Sequence, residues 1–153
     1  MLNRGSGDRI VSMVGGRTIF ILRVHINSEL VFSLFHMNIK FVDFGEIEIN
    51  GKTYDYDVVI DQGEIRKRKK KPSKKYKETY NHTPLSLEEK IPWGGKELIV
   101  GIGVEGKLPV MPEVLKEAKD RGITIVRLTT EEACKALAKK DFKRTRAILH
   151  VTC

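Results

Sequence analysis

The sequence predicts a single α/β domain: a mixed sheet with a parallel β-α-β-α-β part and an N-terminal antiparallel β-hairpin. Three observations predict it. Ile47-Glu48-Ile49 alternates apolar and acidic and runs into Asn50-Gly51, which supplies both positive-φ positions of a type I′ hairpin turn. Farther on, Glu97-Leu98-Ile99-Val100 is a continuous apolar run of buried-strand type. Helix signals then alternate with strand signals to the end of the chain, and short links between such elements make the strands largely parallel.

Residues 1–36 read differently from the rest. Gly5, Gly7, Gly15 and Gly16 punctuate apolar runs at 18–22 and 30–32 that have no clear amphipathic period. This stretch is read as an N-terminal extension, with residues 37–153 forming the domain. Either it adds an element that packs on the domain, or Met37 is the natural first residue.

From residue 39 the pattern becomes regular. Residues 39–49 are β-like, residues 53–60 form the return strand after the Asn50-Gly51 turn, and 64–66 form a short third strand after Asp61-Gln62-Gly63. The stretch from Arg66 to about Pro84 is a long excursion, and loops of that length inside compact domains are functional or mobile. Ser86 and Glu89 have the spacing of a capping box, which predicts a short helix ending at Ile91-Pro92-Trp93-Gly94-Gly95. Pro112 and Gly122 bracket a helix over 112–119 as its first and C′ positions. Ile123–Val126 forms the next strand. Thr129 caps a second helix with Glu132 three residues on, and that helix runs to about Lys140. Arg146–Val151 is the last strand.

Composition bounds the function. The chain of 153 residues is long enough to bury a core without staples, and 41% hydrophobic residues exclude a disordered chain. Its net charge of +8 is local rather than general. Nine of the 28 basic residues lie between Arg66 and Lys77, which leaves 19 basic against 20 acidic groups elsewhere. The longest uncharged stretch near the start, residues 30–39, is about half the ~20 residues a bilayer span requires. With no signal-peptide pattern and two cysteines, the expectation is a cytoplasmic protein without a membrane partner. Gln62 is the only glutamine while Lys and Glu are abundant, a bias of heat-adapted proteins that suggests a thermophile.

Four groups of residues are candidates for chemistry. Gly101, Gly103 and Gly106 form G-x-G-x-x-G directly after a buried strand, where backbone N–H groups can cradle a small anion. Pro109 and Pro112 imply an extended loop where a dinucleotide fold would begin its helix, and no acid ends the next strand. A tight turn without ligand is therefore the competing reading, and no cofactor is expected. The basic loop of Arg66, Lys67, Arg68, Lys69, Lys70, Lys71, Lys74 and Lys75 could contact phosphates, with Tyr76 and Tyr80 stacking on bases. A solvated, mobile loop is the alternative. His82 lies beside that loop with no triad partner that spacing nominates. His150 and Cys153 make H-x-x-C, but an odd separation on a strand points them to opposite faces, which argues against a shared metal. Cys134 sits at a helix position compatible with core packing.

Several segments resemble one small family. They are residues 44–60, Tyr76, Asn81-His82, residues 99–108, residues 121–133 and the ending AILHVTC. The chain resembles, over about 38–153, the family of uncharacterised archaeal and bacterial proteins that also contains the mitochondrial complex I assembly factor and the adipogenesis-associated protein. The resemblance implies an α/β domain with a mixed sheet, no established enzymatic activity and no cofactor. The animal roles are not carried over. The chain departs from the family pattern at Leu137-Ala138, where Tyr-Asn is frequent, and at residues 78–81 before His82.

The expected function is a non-catalytic binding or assembly module acting through a protein partner or a small anionic ligand, with no catalytic residue assigned. The alternatives are an enzyme on a phosphorylated or carboxylated small molecule, with His82 or His150 as acid/base, and an RNA-associated protein using the basic loop. The enzyme reading gains if the two histidines and the glycine segment line one open cleft.

Overall fold

The computed structural model describes residues 36–153 and, before them, the backbone of strands β1 (Val11–Val14) and β2 (Arg17–Phe20). These two pair as an antiparallel hairpin in register Val11 to Phe20, within a separate unit that spans residues 1–32. The remaining readings of residues 1–35 fall outside the described residues.

The second unit, residues 33–153, contains two sheets. β3 (Ile39–Asp43), β4 (Glu46–Ile49) and β5 (Lys52–Tyr54) form an antiparallel three-stranded sheet. β6 (Val58–Asp61), β7 (Glu64–Lys67), β8 (Glu97–Ile102), β9 (Thr124–Leu128) and β10 (Arg146–His150) form a mixed sheet in the order β7-β6-β10-β8-β9. β8 is parallel to both β9 and β10, while β6 joins β10 antiparallel and pairs with β7.

The predicted fold class therefore holds, with corrections at two places. Residues 39–49 are not one strand: the chain reverses at Gly45, whose φ of +85° suits a residue without a side chain, so β3 and β4 are a hairpin of their own. The return strand is also divided. β5 pairs with β4, the chain then leaves the small sheet across residues 55–57, and β6 enters the larger one. Asp57 stands at this crossing.

Alternation explains how the layers meet. On β4, Ile47 and Ile49 are buried while the alternating Glu46 and Glu48 are not. In the central strands both faces are covered. Val58, Ile60, Ile99, Ala147 and Leu149 pack toward the small sheet and helix α3 (Thr130–Leu137), in one cluster with Ile47, Ile49 and Leu137. Val59, Leu98, Val100 and Ile148 face the other way, into a cluster with Val114 and Ala118 of helix α2 (Pro112–Asp120).

Both long helices begin on the predicted signals, and α3 stops at Leu137, one turn short of the expected Lys140. Pro112 opens α2, and its end is a Schellman turn: Gly122 donates to Lys119 O at 3.0 Å and Ile123 to Ala118 O at 2.8 Å. Thr129 and Glu132 cap α3 reciprocally. The Ser86 capping box does not form a helix. Residues 87–89 make a turn instead, because the Glu89 side chain is drawn inward by Arg68 rather than returned to its own backbone.

Candidate functional site

The basic stretch is ordered around one residue. Most of it lies at the surface: Lys67, Lys69, Lys71, Lys74 and Lys75 are exposed, and Arg66 and Lys70 are half-buried. Lys71–Tyr76 forms a 3-10 turn and Lys77–Tyr80 a short helix, α1. Arg68 is different. It is 4% exposed and makes four side-chain hydrogen bonds, two to the Glu89 carboxylate at 2.7 and 2.8 Å. The others go to Asp57 Oδ2 at 3.2 Å and to the Pro84 carbonyl at 3.0 Å. Glu89 also accepts from the buried Ser73 at 2.5 Å, and Ser73 bonds Ser86 at 2.8 Å. One arginine of the nine basic residues thus anchors the excursion to the sheet crossing at Asp57. Lys75 and Tyr76 both bind Glu88, at 2.6 and 2.7 Å, and the Lys67 ammonium lies 4.7 Å from the Tyr56 ring centre.

Asp57 is the hub between this anchor and the end of the chain. Its carboxylate accepts from Arg68, from Lys70 at 3.3 Å, from the Val151 N–H at 3.2 Å and from His150 Nδ1 at 2.9 Å to either oxygen. Burial pushes this carboxyl up, but the His150 hydrogen bond and the charges of His150, Lys70 and Arg68 outweigh it and hold Asp57 well below the usual carboxylate range.

His150, 7% exposed, presents its other nitrogen to the tail. Nε2 stands 3.1 Å from Thr152 Oγ1 and 3.9 Å from Cys153 Sγ. The parity expectation for His150 and Cys153 fails because β10 ends at His150. The next three residues are not extended in the sheet; they cross the glycine turn, which brings Cys153 back beneath the imidazole. Asp57 and Cys153 meet opposite nitrogens of one ring, so they cannot share an ion. Among the described residues no group of three or more His, Cys, Asp or Glu is placed to hold a metal.

The glycine segment receives that tail. A Cβ on Gly103 would stand 1.8 Å from the Cys153 carbonyl oxygen, and φ is +99°, so only glycine fits. Gly101 is closely covered as well, with Leu149 Cδ2 2.8 Å from the position of a Cβ, whereas Gly106 makes the turn at φ +69°. The N–H groups are engaged inside the protein. Gly103 donates to Thr130 Oγ1 at 3.1 Å, Val104 to Thr152 O at 2.7 Å, Gly106 to Gly103 O at 3.3 Å and Lys107 to Cys153 O at 3.4 Å. Thr130 Oγ1 in turn donates to the His150 carbonyl.

His82 is half-buried and lies within electrostatic range of Glu105 on this turn, while His150 is buried and committed to Asp57. Cys134 is in the core, where burial pushes its thiol up to about 12. Asp57, Glu89 and Ser73 were not nominated by sequence. The one signal for Asp57 is an acid standing immediately before the apolar run 58–60; the other two carry none.

A mixed five-stranded sheet with helices on both faces, a second antiparallel sheet and a buried Asp–Arg–Glu cluster at their crossing define the class of domain. Residues 39–149 match a protein family described as being of unknown function, DUF498/DUF598, and the chain belongs to it. Among solved structures it is similar to the conserved hypothetical protein PH1505 from Pyrococcus horikoshii. The identity is 33%, covering 76% of this chain and 100% of that one, with a TM-score of 0.58. It is also similar to a protein named MT938, at 27% identity, 76% and 100% coverage and a TM-score of 0.51. A Bordetella pertussis protein described as a Mth938-like domain matches at 17% identity, covering 85% of this chain and 92% of its own, with a TM-score of 0.49. No curated protein matches the chain. Among the described residues, no helix is long and apolar enough to cross a membrane.

Proposed function

We propose that the chain is a cytoplasmic binding or assembly module that docks an extended segment of a protein partner along β3. The observation that carries this reading is the surface of that strand. Among the described residues β3 pairs with β4 alone, and no described strand bonds its other edge. A groove of about 410 Å³ runs beside it, lined by Ile39, Lys40 and Phe41 from β3 and by Glu131, Cys134 and Lys135 from α3, among others. At the end of the strand Val42 and Phe44 are 46% and 59% exposed, two of the three large apolar side chains so exposed among the described residues.

The tip is held in place rather than loose. Gly45 donates to the Val151 carbonyl at 2.7 Å, which ties the hairpin to the tail after β10. A rigid apolar tip next to the β3 edge offers main-chain hydrogen bonds for affinity and side-chain contacts for specificity. An anionic ligand on the glycine segment has less support, since four N–H groups of residues 103–107 already have protein acceptors.

The test is quantitative co-purification from cells that make the protein, comparing the natural chain with Val42→Ser/Phe44→Ser. A partner recovered in stoichiometric amount with the natural chain and lost with the variant, at unchanged thermal stability, is the expected result. Recovery of that partner by both chains, or no stoichiometric partner at all, contradicts the docking surface.

A further inference from the structure

An ionised carboxylate accepts hydrogen bonds and does not donate them, so Asp57 requires the proton of the neutral His150 ring to sit on Nδ1. Nε2 is then left with a lone pair and no proton. Two groups on the tail face that lone pair, the Thr152 hydroxyl at 3.1 Å and the Cys153 thiol at 3.9 Å. The thiol is half-buried and reaches the surface. A nucleophile within reach of a base, with the base oriented by a third group, is the arrangement that activates a thiol for attack.

The surroundings narrow the class of electrophile. Acyl transfer gains from N–H donors aimed at a developing oxyanion. Near Cys153 the N–H groups of Gly103, Val104 and Lys107 are already bonded to Thr130, Thr152 and Cys153 itself. Exchange with a disulfide needs no oxyanion site. The Lys107 ammonium on the same turn is already paired with Glu105, so it does not select the charge of the disulfide.

We infer that Cys153 is a nucleophilic thiol, with His150 as its base and Asp57 as the positioning carboxylate, that forms mixed disulfides with small disulfides. The Sγ proton passes to His150 Nε2 as Sγ attacks one sulfur of the disulfide. A new S–S bond forms, the original one breaks, and the departing thiolate takes the proton back from Nε2. The product is the modified chain and one free small thiol, with no net oxidant consumed beyond the disulfide. The other cysteine, Cys134, is buried in α3 and does not resolve the adduct, so the modification lasts until an external thiol removes it. This inference goes beyond partner docking and stands whether or not the β3 edge has a partner.

The test is the rate at which the folded protein reacts with dithiobis(nitrobenzoate), a dianionic disulfide, measured against N-acetylcysteine in the same buffer. A free thiol is only a few per cent thiolate at neutral pH, so a thiol served by a base should react about tenfold faster. One fast thiol is expected, absent in Cys153→Ser and retained in Cys134→Ser. His150→Gln should slow it by about tenfold. Since that variant removes a buried hydrogen bond and can lose its fold, Thr152→Val is the companion. It deletes the competitor for Nε2 without touching the core, and the rate should rise. A Cys153 rate at or below that of N-acetylcysteine, or one unmoved by both His150→Gln and Thr152→Val, overturns the assignment of base and nucleophile.

Discussion

Replacing Arg68 by methionine is the most informative single perturbation of this fold. The guanidinium is 1% exposed and pairs with two carboxylates that are themselves about 5% exposed. Asp57 would keep His150, Lys70 and the Val151 N–H after the change. Glu89 would keep the Ser73 hydroxyl and lose both bonds from the guanidinium, leaving a buried charge without its cation. Removing one partner of a buried pair costs about 3–5 kcal/mol, because desolvation is no longer offset. For a chain of this length that is a drop of roughly 10–15 °C in Tm. The assay is urea unfolding of four proteins: natural, Arg68→Met, Glu89→Gln and the double variant. Neutralising Glu89 removes the stranded charge, so the double variant should recover part of the loss, with a coupling energy of about 1.5–3 kcal/mol. If Arg68→Met stays within about 1 kcal/mol of the natural chain, or if the two changes add without coupling, the anchoring role assigned to Arg68 is wrong.

Three further outcomes follow from the same contacts. Asp57 titrates lower in the folded chain than in the unfolded one, so its contribution to stability is complete above about pH 5 and fades as the pH falls through 4; urea midpoints of the natural chain and Asp57→Asn should converge on acidification, and a constant gap from pH 7 to 3 would count against the ionised carboxylate. Gly103→Ala places a methyl 1.8 Å from the Cys153 carbonyl at a φ of +99°, so the tail must move and stability should fall by about 2 kcal/mol or more, read as a lower urea midpoint and faster carboxypeptidase trimming. Thr129→Ala breaks the reciprocal cap of α3 and should cost about 1 kcal/mol, with no change at all if the box contributes nothing.

How far the sequence could be read depended on whether the deciding interactions were local. The parallel strands and both long helices were legible because their signals lie within each element: an apolar run at 98–100, a proline and a glycine around α2, a threonine and a glutamate at α3. The same kind of signal misled at Ser86 and Glu89. Their spacing is that of a cap, but a guanidinium 21 residues away in sequence offers Glu89 two charge-assisted bonds that a helix start cannot match. Arg68 itself was invisible among its eight basic neighbours, since burial is a property of the surrounding fold and not of the run. The meeting of Asp57 with His150 spans 93 residues and depends on the chain changing sheets at 55–57. The separation of His150 from Cys153 misled because parity applies only while the strand lasts, and β10 stops at His150.

The centre of this reading is that Asp57 fixes the His150 tautomer and so aims a lone pair at the tail. Long-range proton–nitrogen correlation spectra of the histidine rings, recorded where the imidazole is neutral, test that directly. The expected spectrum has His150 protonated on Nδ1 and bare on Nε2, with the pattern lost in Asp57→Asn. A proton on Nε2 in the natural chain would contradict it, since neither Thr152 nor Cys153 could then pass a proton to the ring.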